Sequence, residues 1–133
     1  MTADAAKIKQ MLMVDESQLA EEMLERVRNH LGLTPKGQVY IREPTRYRQR
    51  DLLLLYLAGV RYAADAKLRT SEASTISEIS ENLGLDSRIV GARLTELRNE
   101  GKVESPARGE NQIVFPRLLS ILNEIEEQGT PRK

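Results

Sequence analysis

Residues 75–103, TISEISENLGLDSRIVGARLTELRNEGKV, decide the fold. Ile76, Ile79 and Leu83 recur at helical spacing, and Thr75 with Glu78 three residues on has the form of a capping box. The spacing predicts a short helix over Thr75–Leu83, stopped by a tight turn at Gly84. Asp86 or Ser87 then caps a second helix running to about Asn99, with Val90, Leu94 and Leu97 facing inward. Gly101 ends it. Downstream, Val103–Ser105 and Gln112–Phe115 flank the polar, glycine-containing segment Pro106–Asn111, the pattern of a hairpin.

Working outward, Asp51 to about Leu68 reads as a central helix. Its Leu52–Val60 stretch is apolar on every side, as in a helix surrounded by other elements. Ala58, Gly59, Ala63 and Ala64 are small enough to let neighbouring helices approach. Asp15–His30 reads as an amphipathic helix, with Leu19, Met23, Val27 and Leu31 every fourth residue, a capping box of Asp15 and Gln18, and Gly32 as its stop. Ala3–Val14 is helical or frayed. Gln38–Ile41 alternates like a short strand, and Arg42–Arg50 reads as an extended basic arm. Pro116 opens a last helix with a stripe of Leu118, Leu122 and Ile125, and the tail from Gln128 is polar and expected to be disordered. Asn29–Leu33 echoes Asn82–Leu85, which suggests two independent glycine-capped helices.

The stretch with Ile76, Ile79, Leu83, Gly84, Leu85, Val90, Leu94, Leu97, Gly101 and Val103 resembles the winged helix-turn-helix superfamily, in the manner of prokaryotic and archaeal transcription regulators, over roughly residues 49–116. The fold expected is therefore mainly α with a small β-wing, a winged helix-turn-helix core with flanking N- and C-terminal helices. Its organisation would be an N-terminal helical extension over 1–36, a winged-helix domain with its preceding basic arm over 37–116, and a C-terminal helix and disordered tail over 117–133.

The resemblance implies duplex DNA as partner, with the second helix of the quoted stretch in the major groove. Opposite Val90, Leu94 and Leu97 stand Arg88, Gly91, Ala92, Thr95 and Asn99. Arg88 would pair with guanine and Asn99 with adenine or phosphate. Arg108 would reach a groove or phosphate from the wing tip, and Arg42, Arg46, Arg48 and Arg50 would track phosphates. Gly91 and Ala92 sit where the superfamily often has longer polar side chains, and Glu96 and Glu100 add negative charge. The alternative is a protein-docking module engaging its partner through Ile89, Gly91 and Ala92. Arg88 would then be a solvated residue or a partner for Glu81, and the arm arginines would neutralise helix C-termini or acidic residues of the first helix.

Composition narrows the rest. The 133 residues contain no cysteine and one histidine, His30, which excludes disulfides and thiolate zinc sites. No cofactor or metal is expected. Thr34–Pro35–Lys36–Gly37 lacks the glycine spacing of a phosphate loop. His30, read as a solvated residue at a helix end, offers no base to any nucleophile, so no enzyme is expected. Aromatics are scarce, which disfavours stacking on single strands. The net charge is zero but uneven: residues 34–69 carry eight Lys or Arg against three acids, and residues 70–104 four against seven. No signal or transit pattern opens the chain, and a cytoplasmic location is expected. The apolar stripes of the terminal helices, Leu19, Met23 and Val27 or Leu118, Leu122 and Ile125, suggest a homodimer or padding of the same chain.

Overall fold

The computed structural model describes residues 4–128. More than half of them are helical, with two small antiparallel sheets. The central helix, α3 (Gln49–Asp65), follows α1 (Ala5–Leu12), α2 (Glu16–Arg28) and the hairpin of β1 (Leu31–Leu33) and β2 (Val39–Ile41). It buries every residue from Leu53 to Val60. After it come β3 (Ser74–Thr75), α4 (Ile76–Leu83), α5 (Ser87–Asn99), β4 (Val103–Glu104), β5 (Glu110–Ile113) and α6 (Leu118–Gln128). The three-stranded sheet has β5 between β3 and β4, in register Ser74 with Asn111 and Val103 with Ile113.

Helix α3 touches the β1–β2 hairpin on one side and β5, α4, α5 and α6 on others. A single core therefore runs from Val27 to Ile125, across the boundaries drawn at residues 36 and 116. Among the described residues no helix is long and apolar enough to cross a membrane.

Capping chemistry explains the helix starts. Asp15, Thr75 and Asp86 each accept a backbone N–H from the first turn. The capping boxes are only half formed. Gln18 reaches Glu22, and Glu78 accepts from Ser74 Oγ at 2.5 Å and Arg69 Nη2 at 3.2 Å, so neither closes on its cap residue. Gly84 (φ 66°) ends α4 in the left-handed region as expected.

Several expectations need correction. Gly32 caps nothing: α2 ends at Arg28 and Gly32 lies in β1, opposite Tyr40. The echo with Asn82–Leu85 is therefore one helix cap and one strand. Ser74–Thr75, read as loop and cap, also form an edge strand. Pro116 sits in a 3-10 turn, Phe115–Arg117, and α6 starts after it. Gly59 admits the β1–β2 hairpin rather than a helix. Leu118, Leu122 and Ile125 are at most 1% exposed in this chain's own core, so that stripe pads α3 and leaves no seam for a partner. The disordered tail expected beyond Gln128 lies outside the described residues.

Candidate nucleic-acid interface

Helix α5 lies across the molecule with Val90, Leu94 and Leu97 completely buried, which turns Arg88, Ala92, Thr95 and Asn99 to solvent. The helix carries three arginines against one glutamate. Arg88 sits in its first turn and, among the described residues, forms no ion pair, with Glu81 or any other acid. Thr95 is partly committed: its hydroxyl donates to the Gly91 carbonyl at 3.0 Å and accepts from Arg98 at 3.3 Å. Asn99 is exposed at the C-terminal end of the helix.

The hairpin is fastened to α5 by side chains that the periodicities did not single out. Arg98 Nη1 donates to Asn111 Oδ1 at 2.8 Å, and Asn111 Nδ2 donates to the Ser74 carbonyl at 3.4 Å, joining α5, β5 and β3. Asn111 is buried, so an inward polar position in a short strand was the available signal. Ser105 Oγ closes the β4–β5 turn on the carbonyls of Ala107 and Glu110, both at 2.8 Å. Arg108 stands exposed in that turn, and among the described residues it forms no ion pair.

The expected basic arm is not extended throughout. It folds through a 3-10 turn at Pro44–Arg46, and its arginines are engaged within the chain. Arg42 Nε donates to the Arg28 carbonyl at 2.9 Å, at the C-terminus of α2, while its guanidinium stacks on Tyr40. Arg46 pairs with Glu43 at 3.4 Å. Arg48 grips the buried Asp51 with two hydrogen bonds, 2.9 and 3.2 Å. Arg50 holds Glu100 through both oxygens and lies 4.0 Å from Glu96. For Arg42 the contact found is the alternative one, neutralisation of a helix C-terminus, whereas Arg50 binds a side-chain carboxylate just past α5. Arg50 thus meets α5 at its far end, about 18 Å along the helix from Arg88, and these contacts do not bring the arm to the Arg88 face.

Electrostatically this matters for Glu96 and Glu100. Hydrogen bonds from Arg50 and then Lys102 hold the Glu100 carboxyl down to about 2 against the opposing effect of burial. Glu96 is paired with Arg93 at 2.9 Å. The two carboxylates that would repel phosphate are compensated from within the chain.

His30 is also placed differently from expectation. It is buried at 6% exposure, with Nδ1 2.7 Å from the Tyr47 hydroxyl and Nε2 3.1 Å from Glu126. With Arg26, which binds Glu126 at 2.6 Å, it ties α2 to α6. This is a structural cluster away from α5. Among the described residues no three His, Asp or Glu side chains converge as a metal site.

No family model, curated protein or solved structure matches this chain. Any functional reading therefore rests on the geometry above.

Proposed function

We infer that the chain is a winged-helix protein that binds duplex DNA through the outward face of α5 and the β4–β5 turn. The order helix, strand, helix, helix, strand, strand from α3 to β5 is that of the winged helix-turn-helix, and it supports the resemblance noted in residues 75–103. The observation that carries the functional reading is the charge arrangement on α5: Arg88 faces solvent while Glu96 and Glu100 are held by Arg93, Arg50 and Lys102. An exposed arginine on the outward side of α5 and a second at the β4–β5 turn suit a groove and its flanking phosphates. In this reading Arg88, Thr95 and Asn99 meet base edges, Arg108 meets phosphate, and the four arm arginines serve mainly to hold the fold. Transcription regulation is the role we propose for such binding.

A second reading has its own observation. Gly91 and Ala92 leave a small-residue patch at the α4–α5 junction, and a methyl group on Gly91 would just touch Ile76, itself 36% exposed. A protein partner would engage Gly91 and Ile76 here, or Ala92 with Ile89 one turn before it.

Fluorescence anisotropy of labelled genomic duplexes at two salt concentrations separates the two. DNA binding predicts an affinity that falls with salt as phosphate contacts release counterions. Negligible affinity at low salt overturns the DNA reading and leaves the docking module.

A further inference from the structure

The N-terminal segment is the least economical part of the molecule. Helix α1 is capped by Asp4, yet none of its residues is buried. Ile8, Met11 and Leu12 form an apolar stripe on it, which continues into Met13 and Val14; from Met11 to Val14 the exposures are 61–73%. Lys7 and Lys9 flank the stripe on its two sides, at about 100° from Ile8 on the helix wheel. Met13 and Asp15 are extended, so the chain leaves α1 without turning it back onto α2.

Elsewhere on the same chain an apolar groove of about 470 Å³ stands open between α2, the end of α3 and the entrance to α6. Leu19, Met23, Leu24, Phe115 and Leu119 line it, and Glu16 and Asp65 also border it. Groove and segment match in three respects. Both are apolar, the segment brings lysines toward Glu16 and toward Asp65, which Arg61 also holds, and both stay exposed in the described chain.

We propose that α1 and residues 11–14 of one copy seat in this groove on a second copy, and reciprocally, making a two-fold dimer. Exposed apolar patches of this size are uncommon on monomers. Eight large apolar side chains on the segment and around the groove are 39–73% exposed. At roughly 100 Å² of exposure apiece they offer at most the about 800 Å² per partner of a standard interface. Reciprocal exchange gives the closed symmetry that prevents open-ended association. The dimer is held by the one terminal helix that has no place in its own core, not by the buried stripe of α6.

Light scattering after size separation tests this with two variants. Leu12→Asp damages the segment, and Leu24→Asp damages the groove. The wild-type chain should run at twice the mass of one chain, and each variant alone at the mass of one. Both side chains are largely exposed, so circular dichroism should not change, and the urea midpoint should fall only by what association contributes, a difference that vanishes on dilution of the wild type. If Leu24→Asp unfolds, Leu119→Asp replaces it. Mixing the two variants should recover a weaker, concentration-dependent dimer, because one intact segment then meets one intact groove while the second contact stays damaged. A monomeric wild type overturns the proposal, since α1 then stays free or folds onto its own chain. A dimer that survives Leu12→Asp, or no recovery on mixing, also overturns it.

Discussion

Val39 of β2 rests on the bare Cα of Gly59 in α3. A methyl group built on Gly59 would lie 2.6 and 2.7 Å from the two Val39 methyls. Val39 is β-branched and sits in a paired strand, so it has little freedom to turn aside. Gly59→Ala gains about 1 kcal/mol of helix propensity but overpacks the contact by about 1–3 kcal/mol. A net loss of about 1 kcal/mol in urea unfolding is expected, recovered in the double variant with Val39→Ala. Equal stability of wild type and Gly59→Ala would mean that the hairpin moves freely over α3.

The Arg50–Glu100–Lys102 cluster sets the acid limb of stability. Glu100 has its folded pKa lowered from 4.5 to about 2, so its contribution is complete above pH 4.5 and disappears as the pH falls toward 2. Glu126 is lowered as well: burial opposes, but hydrogen bonds from Arg26 and His30 prevail. Glu100→Gln should therefore lose stability at neutral pH and converge with wild type near pH 2. Solvent reaches Glu100, so the neutral difference should be at most about 1 kcal/mol. Parallel curves at all pH values would contradict the pairing.

Tyr47 and His30 govern the contact between the 3-10 turn, α2 and α6. Tyr47→Phe removes the hydroxyl 2.7 Å from His30 Nδ1 and leaves a buried ring nitrogen unpartnered, at a cost of about 1–3 kcal/mol. Burial raises the phenol pKa above 10, so its contribution is complete below pH 10 and is lost as the pH climbs through the raised value. Denaturant midpoints followed into alkali should show that loss in the wild type and less of it in Tyr47→Phe.

Arg88 and Arg50 should separate into function and fold. Arg88→Ala should leave the unfolding midpoint unchanged and cost on the order of 1–3 kcal/mol on a preferred duplex. Arg108→Ala should weaken all duplexes alike and reduce the salt slope by about one. Arg50→Ala should lower stability and release Glu100 beside α5, so any affinity it loses should be recovered in Arg50→Ala with Glu100→Gln. An Arg88→Ala protein with full affinity would remove Arg88 from the DNA contact.

The helices were legible because their information is local. Buried stripes such as Val90, Leu94 and Leu97 repeat at the helical period, and Thr75 and Asp86 are bracketed by the turns they cap. Strand β3 was not legible, because two residues cannot display an alternation and Ser74–Thr75 pair with β5 across 36 residues of chain. The same holds for β1: Leu31-Gly32-Leu33 follows a helix closely enough to look like its end, and only Tyr40 opposite Gly32 gives it away. In the candidate interface, the outward positions of α5 followed from its inward ones. The fate of Arg42–Arg50 did not, since Glu100 is fifty residues from Arg50, and linear charge density cannot tell an arginine facing phosphate from one facing a carboxylate.

The burial of Leu53–Val60 has a consequence during synthesis. Hairpin β1–β2 precedes α3 and can cover one of its sides at once. The others wait for α5, β5 and finally Ile121, Leu122 and Ile125 of α6, near the end of the chain. At about 5–20 residues per second, the ribosome leaves the most apolar helix of this protein partly unclothed for several seconds. A nascent chain stalled before α6 should therefore recruit chaperones and be cut by protease within α3, whereas one extended past residue 128 should resist both.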